Sequence, residues 1–292
     1  MSDAAAQGKT EGGLAIICGA GTLPFALADA MQKRGRHVVL FPLRPWADEE
    51  LVRGYPHHWC AIGQWKRFIR LATAEGCRDV TFIGQLTRPS LWKTRPDLLA
   101  IRLIPEVMRL YRGGDDHLQS GLGRMLERFG FRLVGPAQIA PELLVPPGLL
   151  VGRQPTEQDR ADIARGLALL DAISPFDVGQ AVIVANNQVL AVEGPENTDQ
   201  TLARVAELRR TGRIRSPIGT GVLVKAPKIG QDRRIDLPAI GPPTVEAVAA
   251  AGLGGIAVAA NATLVAEPDR LTAVAGRSNI FVIGIDAEGS NR

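Results

Sequence analysis

Between residues 225 and 238 the chain reads KAPKIGQDRRIDLP, which puts Lys225, Lys228, Gln231, Asp232, Arg233, Arg234 and Asp236 on one short stretch. Two prolines and a glycine bar a regular helix, and the polarity bars a core strand, so these side chains share an irregular loop. Clustered cations suit a polyanion, because lysine supplies a point charge and arginine a planar fork for phosphate oxygens. Neighbouring positive charge favours the ionised form of an aspartate. A carboxylate facing phosphate is otherwise repelled, so it must serve some purpose there, either holding a Mg²⁺ ion or orienting a water. Lys225, Lys228, Gln231, Asp232 and Arg233 therefore read as a set for phosphoryl-group chemistry, with Asp232 as the carboxylate that holds the metal ion or orients the water. The competing reading is a surface loop of ion pairs, each contributing under about 1 kcal/mol.

Other stretches carry weaker signals. Gly19-Ala20-Gly21-Thr22-Leu23-Pro24 follows an apolar run and precedes a helical pattern, the arrangement that turns backbone N–H groups toward a phosphate. Pro24 stands where a dinucleotide fingerprint needs its third glycine, which counts against a nicotinamide cofactor; a plain turn with Pro24 opening the helix is the alternative. Gly84-Gln85-Leu86-Thr87-Arg88 leaves the third apolar run, so it should lie at the same sheet edge, with Gln85 and Arg88 as candidate contacts. Glu193 and Asp199 bracket a GPENT loop and suit a hard cation or plain solvation. Gln180 is a candidate ligand contact by position, and Asp115 or Asp116 is explained by capping a helix. Four scattered histidines and the lack of GxSxG leave a covalent nucleophile unsupported.

Elements that would hold these residues can be read from periodicity. The first half alternates strand and helix: 14–18, 23–34, 37–43, 65–75, 79–84, 98–112, 118–129 and 131–135, the rhythm of a parallel sheet. Prolines and glycines crowd PAQIAPELLVPPGLLVG, where a linker is expected. Beyond it come a helix at 157–173, strands across 180–194 turning at Asn186-Asn187, a helix at 199–210 and a strand at 221–226. The second half is expected to be α+β, with hairpin-like strands. The resulting division is a disordered tail at 1–13, an N-terminal domain at 14–142, a linker at 143–150 and a C-terminal catalytic domain at 151–292. Residues 247–266 are uncharged for twenty positions. Their Ala/Gly content and breaks at Gly252, Gly254 and Gly255 favour a short helix, a turn and a buried strand over a membrane span.

Composition excludes several classes. The net charge of +4 and pI near 9.2 suit an anionic ligand or membrane surface, without the Lys/Arg block of a nucleic-acid tail. Aromatic content of 5% argues against a stacking platform for bases. Three cysteines without ligand-like spacing argue for a reducing compartment and against a structural zinc.

The segment GVLVKAPKIGQDRRIDLPAIGPPTVE resembles the signature of the UDP-2,3-diacylglucosamine pyrophosphatases of lipid A biosynthesis that lack a calcineurin-like fold, the LpxI family. Further matching stretches are DVGQAVIVANNQVLAVEGPENTD, AGLGGIAVAA, GAGTLPFALADA, GQLTRP and GDDHL, in consistent order along nearly the whole chain. The resemblance implies an α/β protein: a Rossmann-like N-terminal domain with a parallel sheet, plus a C-terminal α+β domain, with the substrate cleft between them. It also implies Mg²⁺-assisted hydrolysis of a lipid-linked UDP-sugar to UMP and 2,3-diacylglucosamine 1-phosphate. The family's catalytic aspartate falls on Asp232. Lys225, Lys228 and Arg233 would neutralise phosphate, while Gly21, Thr22, Leu23, Pro24, Gly84, Gln85, Arg88, Gln180, Thr198 and Asp199 would contact substrate. A cytoplasmic protein in transient contact with the inner face of the bacterial inner membrane is expected, with no nucleic-acid partner and a homodimer admitted. A nucleotide-sugar-lipid carrier without catalysis, or a nicotinamide-dependent oxidoreductase, are the alternatives.

Overall fold

The computed structural model describes residues 12–86, 96–111 and 115–286, with backbone only at 111 and 115–120. The chain divides into two compact units, residues 1–140 and 141–292. Each has its own sheet.

In the first unit, strands β1 (Gly13–Cys18), β2 (Val38–Pro42), β3 (Cys77–Ile83) and β4 (Arg132–Leu133) form a parallel sheet in the order β2-β1-β3-β4. Helices α1 (Leu23–Lys33), α3 (Trp65–Ala74), α4 (Leu98–Tyr111) and α5 (Asp115–Arg128) connect them, with short helices α2 (Glu49–Val52) and α6 (Pro136–Ile139). Strand residues alternate between faces. Ala15, Ile17, Val39 and Phe41 pack with Phe68, Ala72 and Leu126 of α3 and α5. Sheets covered on both sides read as continuous apolar runs, which is why GLAIIC and VVLFP are buried throughout.

A charged group sits inside this sheet. Asp79 of β3 is 1% exposed and receives Arg132 Nε and Nη2 at 2.7 and 2.8 Å, together with a close contact from Arg36. Burial opposes its charge, but the hydrogen bonds from Arg132 and Arg36 outweigh that and hold its carboxyl below the ordinary range.

In the second unit, β5 (Gly148–Val151), β6 (Ala181–Ala185), β7 (Gln188–Val192), β8 (Val222–Lys225), β10 (Gly255–Ala259) and β12 (Phe281–Ile285) form one sheet ordered β5-β12-β10-β8-β6-β7. Two further short strands, β9 (Ala239–Ile240) and β11 (Leu264–Val265), pair with each other. Strands β8, β10 and β12 are mutually parallel, whereas β5, β6 and β7 join antiparallel. The α+β expectation thus needs correction: the centre of this sheet is parallel, built by crossovers through α9 (Pro242–Ala250) and α10 (Pro268–Arg277). On one face Ile183, Leu223, Ile256 and Val282 pack against α8 (Thr198–Arg210), α9 and α10; on the other Val182, Val224, Ala257 and Phe281 meet α7 (Glu157–Ile173). The expected linker also changes. Residues 148–151 are strand β5 paired with β12, and Val145 N–H donates to Thr263 O at 2.9 Å, so the stretch belongs to the second unit's fabric.

The β6–β7 turn follows the sequence closely. Asn186 and Asn187 both take left-handed φ, 51° and 63°, the conformation of a two-residue hairpin. Their N–H groups donate to the buried Asp162 carboxylate of α7 at 3.0 and 2.6 Å. Residues 247–266 resolve into the end of α9, a turn and the buried strand β10, followed by β11, and among the described residues no helix is long and apolar enough to cross a membrane.

Candidate functional site

Two groups of predicted residues are assembled, each within its own unit. In the first, loops leave the carboxyl ends of β1 and β3 side by side. Ala20 N–H donates to Gln85 O at 2.8 Å, and Gln85 N–H returns to Ala20 O at 3.0 Å. The expectation that these loops share a sheet edge holds. It also explains two glycines: a Cβ on Gly19 would stand 2.4 Å from Gln85 O, and Gly84 has φ +101° with a notional Cβ 2.8 Å from Ala20 O. Gly84→Ala is expected to lower stability by about 2 kcal/mol through both strain and overpacking. Urea unfolding midpoints check this, and parental stability would show that the crossing can relax. Gly21, φ +95°, leads to Thr22 at the start of α1, whose carbonyl accepts Phe25 and Ala26 N–H at 3.1 Å; Leu23 and Pro24 form the helix's first turn. Thr87 and Arg88 lie outside the described residues, as do Gly113 and Gly114, and the side chains of Asp115 and Asp116 are likewise not described.

In the second unit the opening loop leaves the carboxyl end of β8, at the boundary where the parallel part of the sheet meets antiparallel β6. Register sets Lys225 opposite Ala181, and Ala226 N–H donates to Gln180 O at 3.1 Å, so Gln180 sits at the root of the loop.

Lys225 is a correction to the sequence reading. Its side chain is buried, with Nζ donating to Thr198 Oγ1 at 3.1 Å and Ala239 O at 3.0 Å. Burial drives its basicity down, against the opposing pull of Glu193, Asp199 and Asp236. Glu193 and Asp199 thus act electrostatically on this ammonium. Glu193 is tied in further, accepting Gln180 N–H at 2.8 Å and Thr198 Oγ1–H at 2.6 Å. Thr198, buried at the start of α8, joins the two; Asp199 beside it is exposed. In this structure the ammonium is directed inward to Thr198 and Ala239.

Lys228 is likewise engaged, in a close ion pair with Asp177, and its side chain is 9% exposed. Ile229 N–H donates to Ser174 Oγ at 2.6 Å, so the 3₁₀ turn at Ser174–Phe176 and the left-handed Asp177 latch the loop's first half. Gln231 is buried; its Oε1 accepts Lys228 N–H at 3.0 Å and its Nε2 donates to Asp236 at 2.6 Å. Asp232 caps the turn that follows. Its Oδ1 accepts Arg234 N–H at 3.1 Å and Arg234 Nε at 3.0 Å, while Oδ2 accepts Arg234 Nη2 at 2.9 Å. Arg233 is exposed, without a hydrogen bond or ion pair among the described residues.

The structure therefore adds four residues that sequence reasoning did not assign: Arg234 on Asp232, Asp236 on Gln231, and Ser174 and Asp177 on the loop's stem. Arg234 and Asp236 were visible as charges; the loop's lack of periodicity hid their partners. Ser174 and Asp177 are remote in sequence and had no local signal.

Comparison with known proteins adds the decisive observation. Residues 13–143 match the family model described as the LpxI N-terminal domain, and residues 146–283 match the LpxI C-terminal domain. The chain belongs to the LpxI family. A relative from Caulobacter vibrioides, the UDP-2,3-diacylglucosamine pyrophosphatase LpxI, is 37% identical over 278 residues, covering 94% of this chain and 98% of that one. A solved structure, the UDP-glucose 4-epimerase of Thermus thermophilus in complex with NAD, overlays with a TM-score of 0.29 at 12% identity, covering 94% of this chain and 84% of that one. A likeness that slight carries no argument about ligand or reaction.

Proposed function

We propose that this chain hydrolyses the pyrophosphate bond of UDP-2,3-diacylglucosamine, yielding UMP and 2,3-diacylglucosamine 1-phosphate for lipid A biosynthesis. The observation that carries the reading is end-to-end membership of the LpxI family, including a pyrophosphatase relative matched along 94% of the chain. The second unit's loop supports a chemistry for this reading. Water adds in line to one phosphorus, its P–O bond forms as the bridging P–O bond breaks, the other phosphate leaves with the electron pair, and the water's proton is released through Asp232 to solvent. Negative charge grows on nonbridging and leaving oxygens, so positioned donors and cations do most of the work. Arg233 is the cation exposed for that role, with Arg234 beside it. Asp232 orients the water. Lys225 and Lys228 shape and polarise the loop from behind, through Thr198 and Asp177. In the first unit, the Gly21–Pro24 turn with Gly84 and Gln85 is assigned to the uridine diphosphate end, because it offers backbone N–H groups at a helix start.

A magnesium ion fits the donor set in one respect. Mg²⁺ takes one or two carboxylates and completes its shell with phosphate oxygens and water. Asp232 is the carboxylate for it, being 21% exposed at the side chain and now shared with an arginine that is 36% exposed. Such an ion would neutralise phosphate charge; Arg234 would have to yield one carboxylate oxygen. The expected location is the cytoplasmic side of the inner membrane, touching it transiently, since the substrate is lipid-linked and the chain carries net positive charge.

Radiolabelled UDP-2,3-diacylglucosamine tests the proposal directly. The purified chain is expected to release UMP with Mg²⁺ and to lose at least about tenfold in rate with EDTA. Tight binding without UMP release would make it a carrier and sink the hydrolase reading.

A further inference from the structure

Asp236 has no part in the chemistry above, yet both glutamines of the site are tied to it. Its Oδ2 accepts Gln231 Nε2 at 2.6 Å and Gln180 Nε2 at 2.8 Å. An ionised carboxylate can only accept, so it receives the NH₂ end of each amide and rejects the carbonyl end. One carboxylate oxygen thereby fixes the flip of two amides that are 51 positions apart in sequence (180 and 231). For Gln231 the result is local: its carbonyl oxygen turns to Lys228 N–H and closes the loop immediately before Asp232. For Gln180 the result is different. Its Oε1 is buried and has no hydrogen-bond partner among the described residues. Buried acceptors are nearly always satisfied, and leaving one open costs on the order of 1–3 kcal/mol. Backbone contacts hold Gln180 on both sides, through Glu193 and Ala226, so its amide has no easy escape from that arrangement.

We propose that Asp236 is a positioning residue that ties Gln180, at the root of the loop, to Gln231, immediately before Asp232, and so fixes where Asp232 stands; the open, buried Oε1 of Gln180 is what that tie costs. The inference rests on the hydrolase reading for its kinetic effect, and on geometry alone for the lock. A residue that places the reacting carboxylate acts on the reacting step, so its loss falls on kcat. A group that merely held substrate in the ground state would fall on KM.

The experiment has two arms. Side-chain amide NMR of the parent is expected to show the NH₂ groups of Gln180 and Gln231 shifted downfield by the carboxylate, and both signals should collapse toward free-amide positions in Asp236→Ala. Kinetics with UDP-2,3-diacylglucosamine should show kcat lowered about 10–100-fold in Asp236→Ala and in Gln180→Met, with KM within about twofold. Asp236→Asn, which keeps an oxygen for the two amides, should recover most of the loss. The double variant Asp236→Ala/Gln180→Met should be no slower than the worse single, because the two act as one unit. Calorimetric midpoints confirm that each variant is folded at the assay temperature. Parental kcat in Asp236→Ala, losses that multiply in the double variant, or a rise confined to KM would each overturn the proposal. A parent with both shifted amides but no UMP release would remove the reaction while leaving the lock established.

Discussion

Asp232→Asn is expected to lower kcat for UMP release by about 10³-fold while KM stays within a few-fold. The variant keeps the size of the side chain and an oxygen for Arg234, but removes the charge that would hold a metal ion or accept a proton from water. Losing one such electrostatic group typically costs two to three orders of magnitude. Stability should scarcely change. The Asp232–Arg234 pair spans two residues at the surface of a turn, and exposed pairs of this sort contribute less than about 1 kcal/mol. A large rate loss with an unchanged unfolding midpoint therefore separates chemistry from folding. Retention of parental kcat would move the reaction away from this loop, leaving the cations without a catalytic role.

The largest stability effect lies in the other unit. Asp79→Asn is expected to destabilise the first unit by about 3–5 kcal/mol at pH 7, measured by urea unfolding, because it removes the buried charge with which Arg36 and Arg132 both pair inside the sheet. Arg36 is 7% exposed at the side chain, whereas Arg132 is 68% exposed and can turn to solvent, so most of the effect should trace to Arg36. The pH dependence has a definite sign. Asp79 titrates lower in the folded chain than when unfolded, so its contribution is complete above the ordinary carboxylate range, near pH 4 to 5, and fades as pH falls toward its folded value. The gap between parent and variant should narrow in that window. A gap that stays constant down to about pH 3 would show that packing, not charge, sets the effect.

The two predictions differ in how far the sequence could have led to them. Asp232 stood out in the sequence as a carboxylate among cations on a Pro/Gly-punctuated loop, with a surface loop of ion pairs as the rival reading. Asp79, inside CRDVTFI, carried no such mark, because its partners Arg36 and Arg132 are remote in sequence and converge only when β1 pairs with β2 and β3, and β3 with β4. Local signals placed the elements well. Helix α7 runs from Glu157 to Ile173 as its pattern requires, opened by the Thr156–Asp159 capping box, and the Asn186-Asn187 turn closes its hairpin. Both follow from backbone preferences of a few adjacent residues.

Strand partners do not follow from such preferences. VLVK, GIAVA and FVIGI are all short apolar runs, and nothing local says that they lie parallel at the centre of one sheet with antiparallel strands outside. The same limit governed the site. Side-chain type and spacing marked Lys225, Lys228, Gln231, Asp232 and Arg233 as a group, but not which charges face inward. Strand alternation and the burial of β8 turned Lys225 toward Thr198, and a turn remote in sequence captured Lys228 through Asp177. The amino-acid sequence by itself determined the family, most of the helices and strands as far as β8, and the loop proposed to carry the chemistry, because each is written in adjacent residues. Only the tertiary structure decided which of those residues meet, since hydrogen bonds between positions such as 180 and 236 depend on how the sheet is threaded.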